Sequence, residues 1–155
     1  MSKEELFFCP LGGSGEIGMN MNLYAYGKED NKKWIIVDLG VTFADDSIPG
    51  IDLIMPDPGF IIDKKDDLLG IVLTHAHEDH IGAVAHIWPD LKCKLYATPF
   101  TAALITEKFK EKKIDISSFL KIVPLNSKIK LGDFEIDFVT LTHSILEPNG
   151  LSIKT

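Results

Sequence analysis

Residues 75–80 read His-Ala-His-Glu-Asp-His, directly after the apolar run Leu-Gly-Ile-Val-Leu at 69–73. The run has the pattern of a strand buried on both faces. A buried strand that opens into a polar loop and then a small-residue helix start constrains the fold to a layered α/β arrangement. The His-x-His-x-Asp-His spacing places four ligand-type side chains, His75, His77, Asp79 and His80, within six residues of a chain holding five histidines. His75 and His77 alternate with other residues, so an extended segment points both to one side. Asp79 and His80 then turn toward a neighbouring position. One loop therefore offers two nitrogens to one ion, and an oxygen plus a nitrogen to a second. Imidazole with carboxylate suits zinc, with manganese, iron or nickel as alternatives.

The chain has 155 residues, the size of one ordinary domain. Its composition, 45% hydrophobic and 25% charged, is that of a globular protein. No stretch is apolar for the length of a membrane span. The N-terminus places acidic residues before a very short apolar run, which is not a signal peptide. The expectation is a cytoplasmic protein with no membrane association. Cys9 and Cys93 lie far apart, outside any Cys-x-x-Cys pair, and read as two reduced small hydrophobes. The net charge of −7 opposes generic nucleic-acid binding, which is driven by lysine and arginine. Two divalent cations would offset part of that charge where a phosphate would sit.

Strands are expected at 6–9, 69–73, 94–97, 120–123 and 151–154, and residues 19–38 read as a hairpin around the polar turn 27–33. Residues 128–131 and 134–139 alternate around Gly132 and Asp133 as a second hairpin. Residues 40–60 form a long loop with Pro49, Pro56 and Pro58, a length that is often functional. Helices are expected at 81–88 and 100–112, the second with Leu104, Ile105 and Phe109 on one face and lysines opposite. Many strands, two helices and no repeats indicate a mixed sheet in an α/β domain.

Residues 13–18, Gly-Ser-Gly-Glu-Ile-Gly, match a dinucleotide-binding fingerprint, and Asp38 lies 20 residues beyond Gly18. That fingerprint needs a helix after the glycines. Residues 19–26 alternate as a strand instead, and Asn20 and Asn22 are poor helix formers. A glycine loop lining the floor of the active site fits better. His143 follows strand 134–141 in the position of a third nitrogen for the first metal. His86, on the helix after the metal loop, reads as a surface residue or as one that supports a metal ligand from behind. Asp38 ends a buried strand. It either caps the turn at Gly40 or hydrogen-bonds a metal-bound histidine and fixes its tautomer.

Four segments together resemble the N-terminal part of the ribonuclease J family. They are Pro-Leu-Gly-Gly-Ser-Gly-Glu-Ile-Gly-Met-Asn at 10–20, Val-Asp-Leu-Gly-Val-Thr-Phe at 37–43, Leu-Thr-His-Ala-His-Glu-Asp-His-Ile-Gly at 73–82 and Thr-His-Ser-Ile at 142–145. The metal motif alone marks the wider metallo-β-lactamase superfamily; the other segments narrow it to the ribonuclease J branch. The resemblance implies the layered αββα metallo-β-lactamase fold, here only its N-terminal part. It implies a zinc-dependent ribonuclease with 5′–3′ exonuclease and endonuclease activity, acting in messenger decay and ribosomal RNA maturation. Two Zn²⁺ per intact site are implied, with Mn²⁺ or Mg²⁺ as substitutes, along with an RNA substrate and a homo-oligomer. Carried over by motif position, His75, His77 and His143 would hold one ion, and Asp79 and His80 the other. Asp79 and His80 are then the candidate catalytic residues, and Asp38 orients a ligand.

The family pattern also places a bridging aspartate shortly after His-Ser-Ile and a further histidine much later. No aspartate or histidine follows His143 here, and the inserted β-CASP and C-terminal domains are absent. Residues 143–148 read His-Ser-Ile-Leu-Glu-Pro rather than His-Ser-Ile-Pro-Asp/Glu. The expectation is therefore a fragment, residues 1–155 being part of one metallo-β-lactamase domain, with little activity of its own. Two rivals stand beside it: another hydrolase on the same fold, of thioesterase or lactamase type, and a non-catalytic fragment that binds metal poorly.

Overall fold

Nearly unbroken apolar runs at the centre of the chain's first sheet let it be buried on both faces. The computed structural model describes residues 3–46 and 48–155. Strands β1 (Glu5–Gly12), β2 (Met21–Lys28) and β3 (Asn31–Val37) form an antiparallel meander. A two-stranded ribbon, β4 (Thr42–Phe43) with β5 (Leu53–Ile54), and a single turn of helix α1 (Gly59–Ile62) occupy much of the long loop. Strand β6 (Leu68–Val72) then joins β3 in parallel. Short helix α2 (Glu78–Ile81) and helix α3 (Val84–Leu91) lead to β7 (Leu95–Ala97), and helix α4 (Pro99–Glu111) leads to β8 (Leu120–Ile122). Strands β9 (Lys128–Leu131), β10 (Phe134–Thr140) and β11 (Asn149–Lys154) complete the chain.

The first sheet runs β1-β2-β3-β6-β7-β8, with β3, β6, β7 and β8 parallel; the second runs β11-β10-β9. One face of the first sheet, carrying Met21, Leu23, Trp34, Ile36, Ile71 and Leu95, packs on the helices through Ile81, Trp88, Ile105 and Phe109. The opposite face, with Ile35 and Val72, packs on Phe134, Ile136 and Phe138 of the second sheet. Burial on both faces explains why β3 and β6 read as nearly unbroken apolar runs. Among the described residues the helices all cover the first sheet. The layers present are thus helix, sheet and sheet, three of the four in the αββα arrangement.

Several element boundaries differ from expectation. β1 runs on through Pro10, which an edge strand tolerates, with an irregularity between Pro10 and Gly12. The helix expected at 81–88 is two helices parted at Gly82 and Ala83, and the second continues through Pro89 because Leu91 still reaches the core. In α4 the buried face is Thr101, Ala102, Ile105 and Phe109, spaced three and four residues apart, while Leu104 lies exposed. Cys93 is buried and Cys9 half-buried, both unbridged, and burial pushes the Cys93 thiol up to about 12. None of the described helices is long and apolar enough to cross a membrane.

Candidate metal centre

The carboxyl ends of the adjacent parallel strands β3 and β6 build the site, as in open α/β sheets generally. β3 delivers Asp38 and β6 delivers Thr74 and His75. Asp38 adopts a left-handed backbone, φ 63°, which Asp tolerates better than most residues. Its N–H donates to the carbonyl of Val72 at 3.0 Å, locking the bend to the neighbouring strand. The carboxylate is 4% exposed yet fully engaged. Oδ1 accepts from the Thr74 N–H at 2.8 Å, the Thr74 hydroxyl lies 2.9–3.0 Å from both oxygens, and Oδ2 accepts from His80 Nδ1 at 2.7 Å.

These bonds fix two tautomers. The Thr74 hydroxyl gives its only proton to Asp38, so it accepts from His75 Nδ1 at 2.9 Å. His75 Nε2 then carries a free lone pair; this atom is buried and has no hydrogen-bond partner. Burial, followed by the nearby His80, pushes the His75 pKa down to about 4, so the ring is neutral at neutral pH. His77 and His143 close around it: one ring nitrogen from each of the three histidines falls within 4.8 Å of the others. A buried, unpartnered nitrogen facing two further imidazoles is a donor set that fits a zinc-type ion.

The His80 ring lies against that of His75, tilted by 44° with ring centroids 4.0 Å apart. Its Nδ1 is held by Asp38, so Nε2 faces Asp79 Oδ2 at 3.3 Å. A proton on Nε2 or a cation between the two satisfies both atoms. Burial opposes a charge on His80, but the hydrogen bond and charge of Asp38, aided by Asp79, outweigh it and raise the pKa. The structure thus brings His75 and His77 to His143, while Asp79 and His80 form a second pair beside them. His86 is exposed.

Asp38 therefore holds His80 directly and reaches His75 only through Thr74. The sequence reading singled out neither Thr74 nor Asn20. Asn20 donates from its backbone N–H and from Nδ2 to the Asp79 carbonyl, both at 3.0 Å, and stands 3.5 Å from His80 Nε2. Of the glycine loop, residues 14–17 are exposed, with Ile17 at 93%. Residues 14–17 thus form no buried floor, and the exit of the loop at Asn20 meets the site. Glu78, inside the motif, faces away and pairs with Lys108 on α4 at 2.6 Å.

The sequence profile of the Metallo-beta-lactamase superfamily matches residues 20–144, the span from Asn20 to just past His143. The chain belongs to this superfamily. Solved structures carry the same fold. The chain superposes on Zn(2+)-bound PqqB from Methylobacterium extorquens with a TM-score of 0.62, 12% identity and 95% of this chain covered against 61% of that one. For the metallo-beta-lactamase fold protein YhfI from Bacillus subtilis the figures are 0.59, 15%, 96% and 58%. In sequence the superfamily member described here is similar to ribonuclease J of Sinorhizobium meliloti, 45% identical over 98% of this chain and 27% of the relative. Ribonuclease J of Helicobacter pylori is 39% identical over 99% of this chain and 22% of the relative. The chain spans about a quarter of the length of these curated relatives.

Proposed function

We propose that this chain supplies the metal-binding core of a zinc-dependent ribonuclease of the ribonuclease J type. The convergence of His75, His77 and His143 on one point, with the buried Nε2 of His75 left unpartnered, carries the reading. Similarity to ribonuclease J over nearly the whole chain supports RNA as the substrate class. In this reading His75, His77 and His143 hold one ion, and Asp79 with His80 contributes to a second. A divalent cation supplies a Lewis acid that offsets phosphodiester charge and makes water more acidic. The chain's own residues do the rest. Asp38 and Thr74 fix which imidazole nitrogens of His75 and His80 are left free to ligate an ion, and the buried neutral His75 keeps its lone pair available near neutral pH.

Asp79 and His80 alone are too few for a tight second site, because paired cations about 4 Å apart repel strongly unless a carboxylate bridges them. We infer that the complete site forms in a polypeptide carrying this chain together with the rest of the relatives' length. Exonucleolytic and endonucleolytic cleavage, ribosomal RNA maturation, a cytoplasmic location and a homo-oligomeric state belong to that whole protein. The test offers 5′-monophosphorylated RNA, thioester and β-lactam substrates to the zinc-loaded full-length protein. Chelator-sensitive RNA cleavage is expected. Turnover of a thioester or lactam with no RNA cleavage overturns the assignment.

A further inference from the structure

His143 is held differently from the other two histidines. It follows β10 at the same three-residue interval at which the buried His75 follows β6, yet residues 141–144 and Leu146 are exposed, and Ile145 is the one of them packed toward the helix-side core. Polar ties fix the segment instead. The N–H of Leu141 donates to the carbonyl of Pro148 at 2.9 Å and closes the turn. The buried Asn149 amide splits its two protons between the carbonyls of Glu147 at 2.7 Å and Thr74 at 3.1 Å, fastening the turn to the β6 loop. Glu147 itself sits in a left-handed conformation, φ 53°, which a non-glycine residue adopts only when its surroundings compel it. Its side chain reaches the start of α4. The Thr98 side chain makes no capping bond there, and Glu147 Oε2 accepts the Phe100 N–H at 2.8 Å from 47 residues away. A carboxylate at that place is also favoured by the helix dipole. The same helix holds Glu78 of the metal loop through Lys108. Both ligand-bearing loops are therefore braced on α4.

We propose that Glu147 is a positioning residue for His143. Its carboxylate, seated on the Phe100 N–H, fixes the turn that presents the His143 imidazole to His75 and His77. This rests on the reading of those three histidines as ligands of one ion. Partners that orient metal ligands typically change metal affinity by about 10–100-fold when removed.

The experiment uses the 155-residue chain, zinc competition against a chromophoric chelator, and the ligand-field spectrum of the cobalt(II) form. Glu147→Ala is expected to weaken zinc by about 10–100-fold and to shift the cobalt spectrum toward that of His143→Ala. Glu147→Gln, whose amide oxygen still accepts the Phe100 N–H, is expected to stay near wild type. Should the alanine variant not fold, Glu147→Gly removes the carboxylate while easing the positive φ, and the same loss is expected. Wild-type affinity and spectrum in the alanine or glycine variant overturn the proposal, as does a glutamine variant as impaired as alanine. If wild type binds no cobalt, or His143→Ala changes nothing, the ligand assignment itself fails. That outcome is recognisable without any Glu147 variant, and it takes this inference with it.

Discussion

Asp38 Oδ2 accepts the Nδ1 proton of His80 at 2.7 Å, while the same carboxylate receives both the backbone and the hydroxyl protons of Thr74. One buried acceptor thus sets the ring orientation of His80 directly and of His75 through Thr74. Asp38→Ala leaves several partly buried donors without a partner, and a fully buried group of that kind costs about 1–3 kcal/mol. The expected destabilisation is about 3 kcal/mol or more. Asp38→Asn keeps an acceptor and tolerates the left-handed backbone, so it is expected to cost about half as much. Urea unfolding of the metal-free chain measures both; an alanine variant within about 0.5 kcal/mol of wild type would show the network to be energetically idle.

The three converging histidines predict their own metal chemistry. His75→Ala, His77→Ala and His143→Ala are each expected to lower zinc affinity at least a hundredfold, and His86→Ala, which sits on an exposed helix face, to leave it unchanged. X-ray absorption at the zinc edge should find nitrogen neighbours at about 2.0–2.1 Å, reduced in number in each ligand variant. Equal affinities in all four proteins would mean that zinc sits elsewhere.

Much of this was legible in residues 69–82, where a run apolar on both faces is followed by ligands at alternating positions. Period two and ligand chemistry are local properties, so β6, the paired His75 and His77, and the separate Asp79 and His80 follow from the order of residues. That Asp38 bonds a ligand-type histidine was one of its two readings, but which histidine, and the part played by Thr74, did not follow, because β3 and β6 become neighbours only through a parallel crossover. The braces on α4 were equally hidden. Glu147 and Phe100 lie 47 residues apart, and nothing in either segment announces the other. Leu104 was misplaced for a different reason: the helical period allows more than one face, and contact with the sheet selects the stripe at Thr101, Ala102, Ile105 and Phe109.

Acid should destabilise the metal-free chain through His75. Burial holds its folded-state pKa at about 4, below the ordinary 6.5. Between those values the unfolded chain binds the extra proton and the folded chain does not. The contribution is therefore fully present above 6.5 and lost as pH falls toward about 4. His80 acts in the opposite sense: its raised pKa favours the fold below the ordinary value, and that share disappears as pH rises through the raised one. Urea midpoints in EDTA should fall on acidification, and His75→Gln, which cannot take the proton, should flatten that limb relative to wild type. Parallel curves for the two proteins would remove His75 as a cause.

The metal loop also depends on a side chain that is missing. A Cβ on Gly40 would lie 1.7 Å from the carbonyl oxygen of Asp79, far inside contact distance, and its target is backbone rather than a movable side chain. The approach exists because Gly40 N–H donates to the Asn20 carbonyl while its neighbours Leu39 and Val41 donate to the carbonyls of His80 and Glu78. Residues 39–41 and 78–80 are laced together backbone to backbone. Gly40→Ala must push them apart, tilting Asp79 and His80 away from His75. The expected cost is about 1–3 kcal/mol or more, the usual range for overpacking against atoms that cannot relax. Zinc at the three-histidine position should weaken less than in a ligand variant, because His75, His77 and His143 stand on other segments or earlier in the loop. In the full-length protein, RNA cleavage should fall further than zinc affinity at that position. Metal titration beside the cleavage assay separates the two effects, and a Gly40→Ala protein with wild-type stability and turnover would refute the lacing argument.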